Sequence, residues 1–129
     1  MNRFIILLAS NSEAEKNMEI ARKLLIMNFP ESIRFSENHW SAAIVAEGHE
    51  IPQGELSRYL NAVCVVQSEN TLDTIQVFLK KMELEMGRVR GVEAQGRVLI
   101  DLDLVEWNGA VLRPKDAAQE YFNVCLRDL

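Results

Sequence analysis

The order in which two kinds of apolar pattern follow each other along the sequence constrains the fold of this chain more than any other feature. Segments in which apolar residues recur at every second position, or run without a break, indicate strands, and segments with apolar residues three or four apart indicate helices. They occur in the order strand, helix, strand, strand, helix, strand, and the strands are predicted at 4–8, 33–44, 58–67 and 97–105. This order is that of a ferredoxin-like βαββαβ sandwich of the α/β (α+β) class, with two helices on one face of an antiparallel sheet and the other face open.

The ends of these elements carry recognisable signals. The first helix follows potential N-caps from Ser10 to Ser12 and stops at Pro30. The second helix is capped by Thr71, and Gly87 suits a left-handed position at its carboxyl end. These signals support the predicted positions of both helices.

A further hairpin and helix follow the fourth strand. Asn108 and Gly109 form a typical two-residue turn, and Pro114 suits the first turn of a terminal helix. We expect residues 1–129 to form one domain, since a chain of this length can bury a core of its own.

Composition narrows the classes of function. The chain is 48% hydrophobic and 26% charged, as is usual for soluble globular proteins, and its net charge of −5 argues against a general nucleic-acid binder. Cys64 and Cys125 have neither metal-site nor disulfide spacing, so we expect reduced, buried thiols. The apolar start is too short for a signal-peptide core. We therefore predict a cytoplasmic monomer that contacts neither nucleic acid nor membrane.

Strand parity places polar side chains on one face of the predicted sheet. Tyr59 and Asn61 share one side of the third strand, and Arg97, Asp101 and Asp103 share one side of the fourth. Residues two apart on a strand lie roughly 6.5 Å apart, so the two carboxylates can bind one metal ion or a close pair. If the apolar sides face the helices, these polar groups meet on the opposite surface.

A short arginine motif precedes the two carboxylates. Arg88 and Arg90 follow the second helix and, with Arg97, form a basic island in an acidic chain. Arginines and paired carboxylates together can hold a polyphosphate and its Mg²⁺. Phosphoryl-type transfer depends mainly on positioning and charge neutralisation, so no nucleophilic side chain is required.

These segments, in their order and spacing, resemble the 6-hydroxymethyl-7,8-dihydropterin pyrophosphokinase family. That family transfers pyrophosphate from ATP to a pterin alcohol in folate biosynthesis. The matching segments are Ala9 to Asn11, Tyr59 to Val63, Met82 and Glu83, Gly87 to Arg90, and Asp101 to Asp103.

The resemblance implies a ferredoxin-like fold and a set of site residues. Two Mg²⁺ ions would bind Asp101 and Asp103, and Arg88 would lie near the transferred phosphates, with Arg97 as a substitute for a family arginine that is absent here. The implied ATP contacts are Glu83, Arg90 and Lys115. The implied pterin contacts are Ser41, Ile44, Tyr59, Asn61 and Phe122, with Tyr59 and Phe122 stacking on the ring.

The chain also departs from the family's pattern, as in a shortened and divergent member. Ala9 replaces a glycine, residues 94–98 stand in place of Arg-Trp-Gly-Pro-Arg, and Lys115 replaces a histidine. A second hypothesis is therefore a degenerate relative that binds a pterin or a nucleotide without turnover. A third is an RNA-binding sheet, which predicts exposed aromatic residues on the central strands and a basic face.

Single residues have structural interpretations as well. Arg88 and Arg90 would also complement the negative end of the preceding helix. Tyr59 would also pack half-buried, and Glu83 would also be a solvated helix residue. Only their combination with the aspartate pair favours a binding site.

Overall fold

The computed structural model describes residues 1–30, 32–45 and 47–129. In these residues the strands are β1 (Asn2–Ser10), β2 (Ile33–Phe35), β3 (His39–Ala42), β4 (Arg58–Ser68), β5 (Asp101–Trp107) and β6 (Ala110–Val111). The helices are α1 (Ala14–Asn28), α2 (Leu72–Glu85), α3 (Pro114–Ala117) and α4 (Glu120–Leu126). Among the described helices, none has the length and apolar composition needed to cross a membrane.

The strands form one antiparallel sheet that confirms the predicted ferredoxin-like order. Its order is β2, β4, β1, β5, β6, and β3 pairs with β4 in line with β2. The central strand β1 therefore lies between β4 and β5. In this register Ala9 is opposite Asn61 on one side and Asp101 on the other, so the three side chains share one face.

The helices α1 and α2 cover one face of the sheet, as predicted. Of the apolar residues that strand parity assigns to this face, Val98 is only partly buried. The others are buried in one cluster: Leu60, Ala62, Cys64 and Val66 of β4, and Ile100, Leu102 and Leu104 in and next to β5. Because β-strand side chains alternate, their burial turns Tyr59, Asn61, Asp101 and Asp103 toward the other face. Cys64 and Cys125 are buried free thiols, also as predicted.

The second face of the sheet is not open, which corrects the sequence-based expectation. Ile5 and Leu7 of β1 and Val63 of β4 point to this face and pack against Phe122 and Cys125 of α4. Because the central strands are apolar on both sides, other elements must shield both sides from water. The predicted terminal helix is divided into α3 and α4, and the second of these provides that cover.

This arrangement also contradicts the RNA-binding alternative. That alternative requires exposed aromatic rings on the central strands. On this face the middle of the central strands instead presents aliphatic side chains that α4 covers, and the ring of Tyr59 at the start of β4 is half-buried. The polar cluster described below occupies only the remaining end of this face.

The extended segment predicted at 33–44 is two strands rather than one. Between them Ser36 is buried, its N–H donates to the carbonyl of Val63 at 2.8 Å, and its hydroxyl accepts from the Val63 N–H at 2.9 Å. Arg22 donates to the carbonyl of Ser36 at 2.6 Å. The edge strand is therefore interrupted by a side chain that replaces a backbone partner.

The fourth predicted strand begins later than expected, at Asp101 instead of residue 97. The preceding loop is held by Asn11, whose side chain donates to the carbonyl of Gly96 at 3.0 Å and accepts from the N–H of Val98 at 2.6 Å. Because Asn11 is engaged there, α1 has no side-chain cap, and Glu13 in a left-handed conformation precedes it. The predicted N-capping by Ser10 to Ser12 is therefore wrong.

The other predicted ends are confirmed. The N–H of Thr74 donates to the Thr71 hydroxyl at 3.3 Å and so caps α2. Gly87 has φ +99° after that helix, where a residue with a Cβ is strained. Asn108 and Gly109 both have positive φ in the hairpin turn between β5 and β6.

Candidate active site

A cavity of about 190 Å³ lies beside the ends of the central strands, at the end of the sheet face that α4 leaves uncovered. Ala9 contributes only a methyl group to its floor, between Asn61 and Asp101, and this leaves room above the sheet. The lining residues are Leu7, Ala9, Ser41, Ala42, Ile44, Tyr59, Asn61, Asp101, Asp103, Asp116 and Tyr121. The structure thus brings together six of the residues predicted for the site.

One end of this cavity carries an aromatic ring and a fixed amide. The Asn61 side chain is 2% exposed, and its nitrogen donates to the Ser41 hydroxyl at 2.8 Å and to the His39 carbonyl at 3.1 Å. Tyr59 is half-buried, and burial, followed by the nearby charge of Asp101, raises the pKa of its hydroxyl. A ring beside a held amide suits a flat heterocycle with polar edges.

The other end carries the two aspartates. Asp103 is 8% exposed, and burial raises its pKa to about 7, with a further contribution from the negative charge of Asp101 and from a hydrogen bond to it. Two crowded carboxylates favour a shared proton or a cation. Within the described part of the chain, no group of three or more potential protein ligands forms a metal cluster. Mg²⁺ is typically bound by one or two carboxylates together with substrate phosphates, so this donor set fits it.

Cations surround the two aspartates. Lys80 Nζ and Arg113 Nη1 lie 3.8 Å and 3.7 Å from Asp103 Oδ1, and Arg88 Nη1 lies 3.6 Å from Asp101 Oδ1. The Arg88 side chain is 10% exposed, and its Nε is buried without a hydrogen-bond partner among the described residues. The charge of the aspartate pair is therefore opposed from three sides.

Glu83 organises the opposite edge of β5. Its carboxylate is 2% exposed and accepts from the Leu102 N–H at 2.7 Å, from Arg90 at 2.8 Å and from Lys80 at 3.3 Å. The solvated interpretation of Glu83 is wrong. Burial of this acid is possible because a backbone donor and two cations satisfy it. It anchors α2 to β5, pairs with Arg90, and also pairs with Lys80, which lies near Asp103.

A second cavity of about 360 Å³ lies between α2 and the outer edge of β5. Its lining consists of four leucines, two cations, one carboxylate and one amide: Gln76, Leu79, Lys80, Leu102, Asp103, Leu104, Leu112 and Arg113. Asp103 lines both cavities, whereas Asp101 lines only the smaller one, so the two spaces adjoin at Asp103.

Sequence reasoning missed four of these residues. Lys80 precedes Glu83 by three positions on α2, which is a helical spacing that could have marked it. Arg113 precedes Asp116 by the same interval. The sequence places Tyr121 on the terminal helix, where it or Phe122 stands in place of a family arginine, but it does not predict a site contact for Tyr121. Without the fold, nothing in the sequence places the last three beside β5.

Six predicted site residues are not among those that line the two cavities. Glu83, Arg88 and Arg90 make the contacts described above, and the other three lie elsewhere. Arg97 precedes β5, so the parity that placed it beside Asp101 is wrong, and it lines a separate cavity of about 170 Å³. Phe122 is 3% exposed in the core beneath α4, and its neighbour Tyr121 lines the site. Lys115 is exposed on α3 and is not among the described residues that line the two cavities.

Comparison with known families agrees with this geometry. A family model described as 7,8-dihydro-6-hydroxymethylpterin-pyrophosphokinase (HPPK) matches residues 5–129. The chain belongs to this family. HPPK enzymes transfer a pyrophosphoryl group from ATP to a pterin in folate biosynthesis and use Mg²⁺. No curated protein matches the chain. The resemblance read from the sequence segments is thus confirmed at the level of the HPPK family.

Proposed function

We propose that this chain transfers pyrophosphate from ATP to the hydroxymethyl group of 6-hydroxymethyl-7,8-dihydropterin in a Mg²⁺-dependent reaction. One observation carries the proposal: Asp103 lines both cavities, and Asp101 lies beside it in the smaller one, so that two substrates bound there would approach each other at the aspartate pair. Family membership supports the same chemistry in general terms.

The pterin is assigned to the smaller cavity. Its ring would lie against Tyr59, and its polar edge would face the amide of Asn61 and the segment from Ser41 to Ile44. Tyr121 is proposed for the stacking role that the sequence gave to Phe122, since Tyr121 lines this cavity and Phe122 is buried in the core. The hydroxymethyl group would then point toward the aspartates.

The nucleotide is assigned to the larger cavity, with its phosphates toward the aspartates. Arg88 and Arg90 are the arginines proposed to meet the phosphate charge, and Glu83 holds Arg90 in position instead of contacting the nucleotide itself. Bound Mg²⁺ would neutralise phosphate charge and orient the phosphate chain on Asp101 and Asp103.

The proposed transfer needs no nucleophilic side chain from the protein, because the pterin supplies the attacking oxygen. The hydroxymethyl oxygen of the pterin attacks the β-phosphorus of ATP, and the bond from that phosphorus to the oxygen bridging the α- and β-phosphates breaks. AMP leaves with the bond's electron pair, and the hydroxyl proton passes to water. The side chains of the two cavities align the reactants, which is the main contribution of protein to such transfers.

A direct assay tests this proposal. The protein is mixed with ATP, Mg²⁺ and the reduced pterin alcohol, and AMP formation is measured. We expect Asp101→Asn to lower the rate by on the order of 10³-fold, because the metal contribution amounts to several kcal/mol. Asp73→Asn, on the exposed first turn of α2, is the matched control and should retain activity. Undiminished AMP formation by the Asp101 variant would contradict the metal assignment.

A second candidate is a binding protein without turnover. The position of Arg97 outside both cavities favours it, because the catalytic role predicted for that arginine then lacks structural support. The same assay distinguishes the candidates. No AMP, together with intact binding of the reduced pterin by calorimetry, would favour the binding protein.

A further inference from the structure

Arg113 occupies the boundary between the two cavities. It follows β6, lines the larger cavity, and places Nη1 3.7 Å from Asp103 Oδ1. Its side chain is 49% exposed, so a ligand can reach it. None of the contacts inferred from the sequence included this residue.

Asp116 fixes the orientation of this arginine. Arg113 Nε donates to Asp116 Oδ2 at 2.5 Å, and the other oxygen of Asp116 accepts from the Tyr121 hydroxyl at 2.8 Å. Pro114 starts α3 between them, so the three-residue spacing is set by a helical turn. The guanidinium is thus held at its Nε edge while Nη1 lies 3.7 Å from Asp103 Oδ1.

A cation at the aspartates would change the partners of Arg113. Asp103 is now paired with both Lys80 and Arg113. A divalent cation on this carboxylate would take over its charge, and the arginine would lose one partner while keeping Asp116. A guanidinium held in this way presents a planar pair of donors that matches a phosphate group.

We propose that Arg113 binds the β- and γ-phosphates of the nucleotide, and that Asp116 and Tyr121 are positioning residues that hold it there. The inference rests on the proposed function and extends its phosphate site by a residue from the C-terminal segment. Tyr121 thereby serves two cavities: its ring lines the smaller one, and its hydroxyl orients Asp116, which holds the arginine of the larger one.

The test compares two nucleotides that differ in the phosphates at issue. Binding of α,β-methylene-ATP with Mg²⁺, and of AMP, is measured by calorimetry for the wild type, Arg113→Gln and Arg3→Gln. Arg3 is an equally exposed arginine in a surface pair with Glu106, so it controls for the loss of one charge. We expect Arg113→Gln to weaken the triphosphate analogue about 10- to 100-fold, the range of a lost charge-assisted contact, and to leave AMP within about twofold.

For the two positioning residues we expect a smaller loss of affinity than for Arg113 itself. Asp116→Asn and Tyr121→Phe should weaken the triphosphate analogue about 3- to 10-fold and leave AMP unchanged, since they displace Arg113 without removing it. The affinity of Arg113→Lys for the triphosphate analogue should lie between those of the wild type and Arg113→Gln, because lysine keeps the positive charge but lacks the planar pair of N–H donors. Thermal melts of each variant confirm folding, and a merely structural role would lower the affinity for both nucleotides equally.

The outcomes separate this inference from the proposed function. Wild-type protein that binds the analogue, with Arg113→Gln binding it as tightly as Arg3→Gln does, overturns the inference alone. An equal loss for AMP and the analogue overturns it too. Wild-type protein that binds neither the analogue nor the pterin overturns the proposed function, and the inference with it.

Discussion

At the scale of single residues, Asp103 is where the charges of the site meet. It is nearly buried, lies beside a second carboxylate, and is approached by Lys80 and Arg113. Its role cannot be inferred from the Asp-Leu-Asp sequence alone, because a carboxylate on a strand is more often simply solvated. The neighbours that matter come from α2 and from the segment after β6, which are distant in the sequence.

The raised pKa of Asp103 predicts how stability depends on pH. The folded pKa is about 7 and the unfolded value is near 3.8, so the folded state holds the proton more strongly. In the metal-free protein the free energy of unfolding should therefore fall as pH rises from about 4 to 7. Denaturant titrations across this range check it, and Asp103→Asn should flatten that part of the profile. A free energy of unfolding of the wild type that rises between pH 4 and pH 7 would contradict the raised pKa of Asp103.

Ala9 predicts a steric test of the smaller cavity. Ala9→Leu adds three carbon atoms to the floor between Asn61 and Asp101, so pterin affinity should fall about 10- to 100-fold, equivalent to 1 to 3 kcal/mol of overlap. Calorimetric titration with the reduced pterin measures this. Ala118→Leu, at an exposed position, is the control. Unchanged affinity in the Ala9 variant would place the pterin elsewhere.

At the scale of elements, the course of the helices and strands follows sequence pattern closely, and departures occur where side chains replace backbone partners. Ser36 interrupts the edge strand, and Asn11 holds the loop before β5. Both are short polar residues whose partners lie far along the chain. Local propensity contains no information about those partners, so strand ends at these places could not be predicted.

The C-terminal helix α4 predicts opposite behaviour for two adjacent aromatic residues. Phe122→Leu should lower the free energy of unfolding by about 1 kcal/mol, because it lies in the core beneath the sheet, and should leave pterin affinity unchanged. Tyr121→Leu should weaken pterin binding with a smaller effect on stability, because it lines the cavity. Urea titrations and pterin titrations of both variants measure the two effects.

The opposite pattern would contradict this division of roles. If Phe122→Leu loses pterin affinity while its stability is unchanged, the stacking role first inferred from the sequence belongs to Phe122. The wild type and Tyr59→Leu serve as references in the same titrations, since Tyr59 is the other ring of the cavity.

At the scale of the whole molecule, the register of the sheet determines which residues come together at the site. The central position of β1 brings β4 and β5 to either side of one alanine. The helix α2, the loop after it and the segment after β6 then supply cations to the carboxylate pair on β5. Binding of substrates at this junction should stabilise several elements together.

A melting experiment tests this expectation. A ligand at one hundred times its dissociation constant should add about 2.7 kcal/mol to the free energy of unfolding. We expect such a gain with Mg²⁺ and α,β-methylene-ATP, and a further gain when the reduced pterin is added. Asp101→Asn should lose the Mg²⁺-dependent part. Equal melting temperatures for the wild type with and without saturating ligands would contradict binding at this site.

The sequence by itself determined the order of elements, the helix-facing side of the sheet, the aspartate and arginine motifs, and the family. Periodicity and motif spacing are local properties, and burial of the apolar side follows from them directly. Three features could be learned only from the packing of the folded chain. These are the covering of the second sheet face by α4, the position of Arg97 away from the site, and the presence of four further residues at the site: Lys80, Arg113, Asp116 and Tyr121. These depend on which distant segments pack against β5, and that is settled by the pairing of strands and the burial of surfaces across the whole chain.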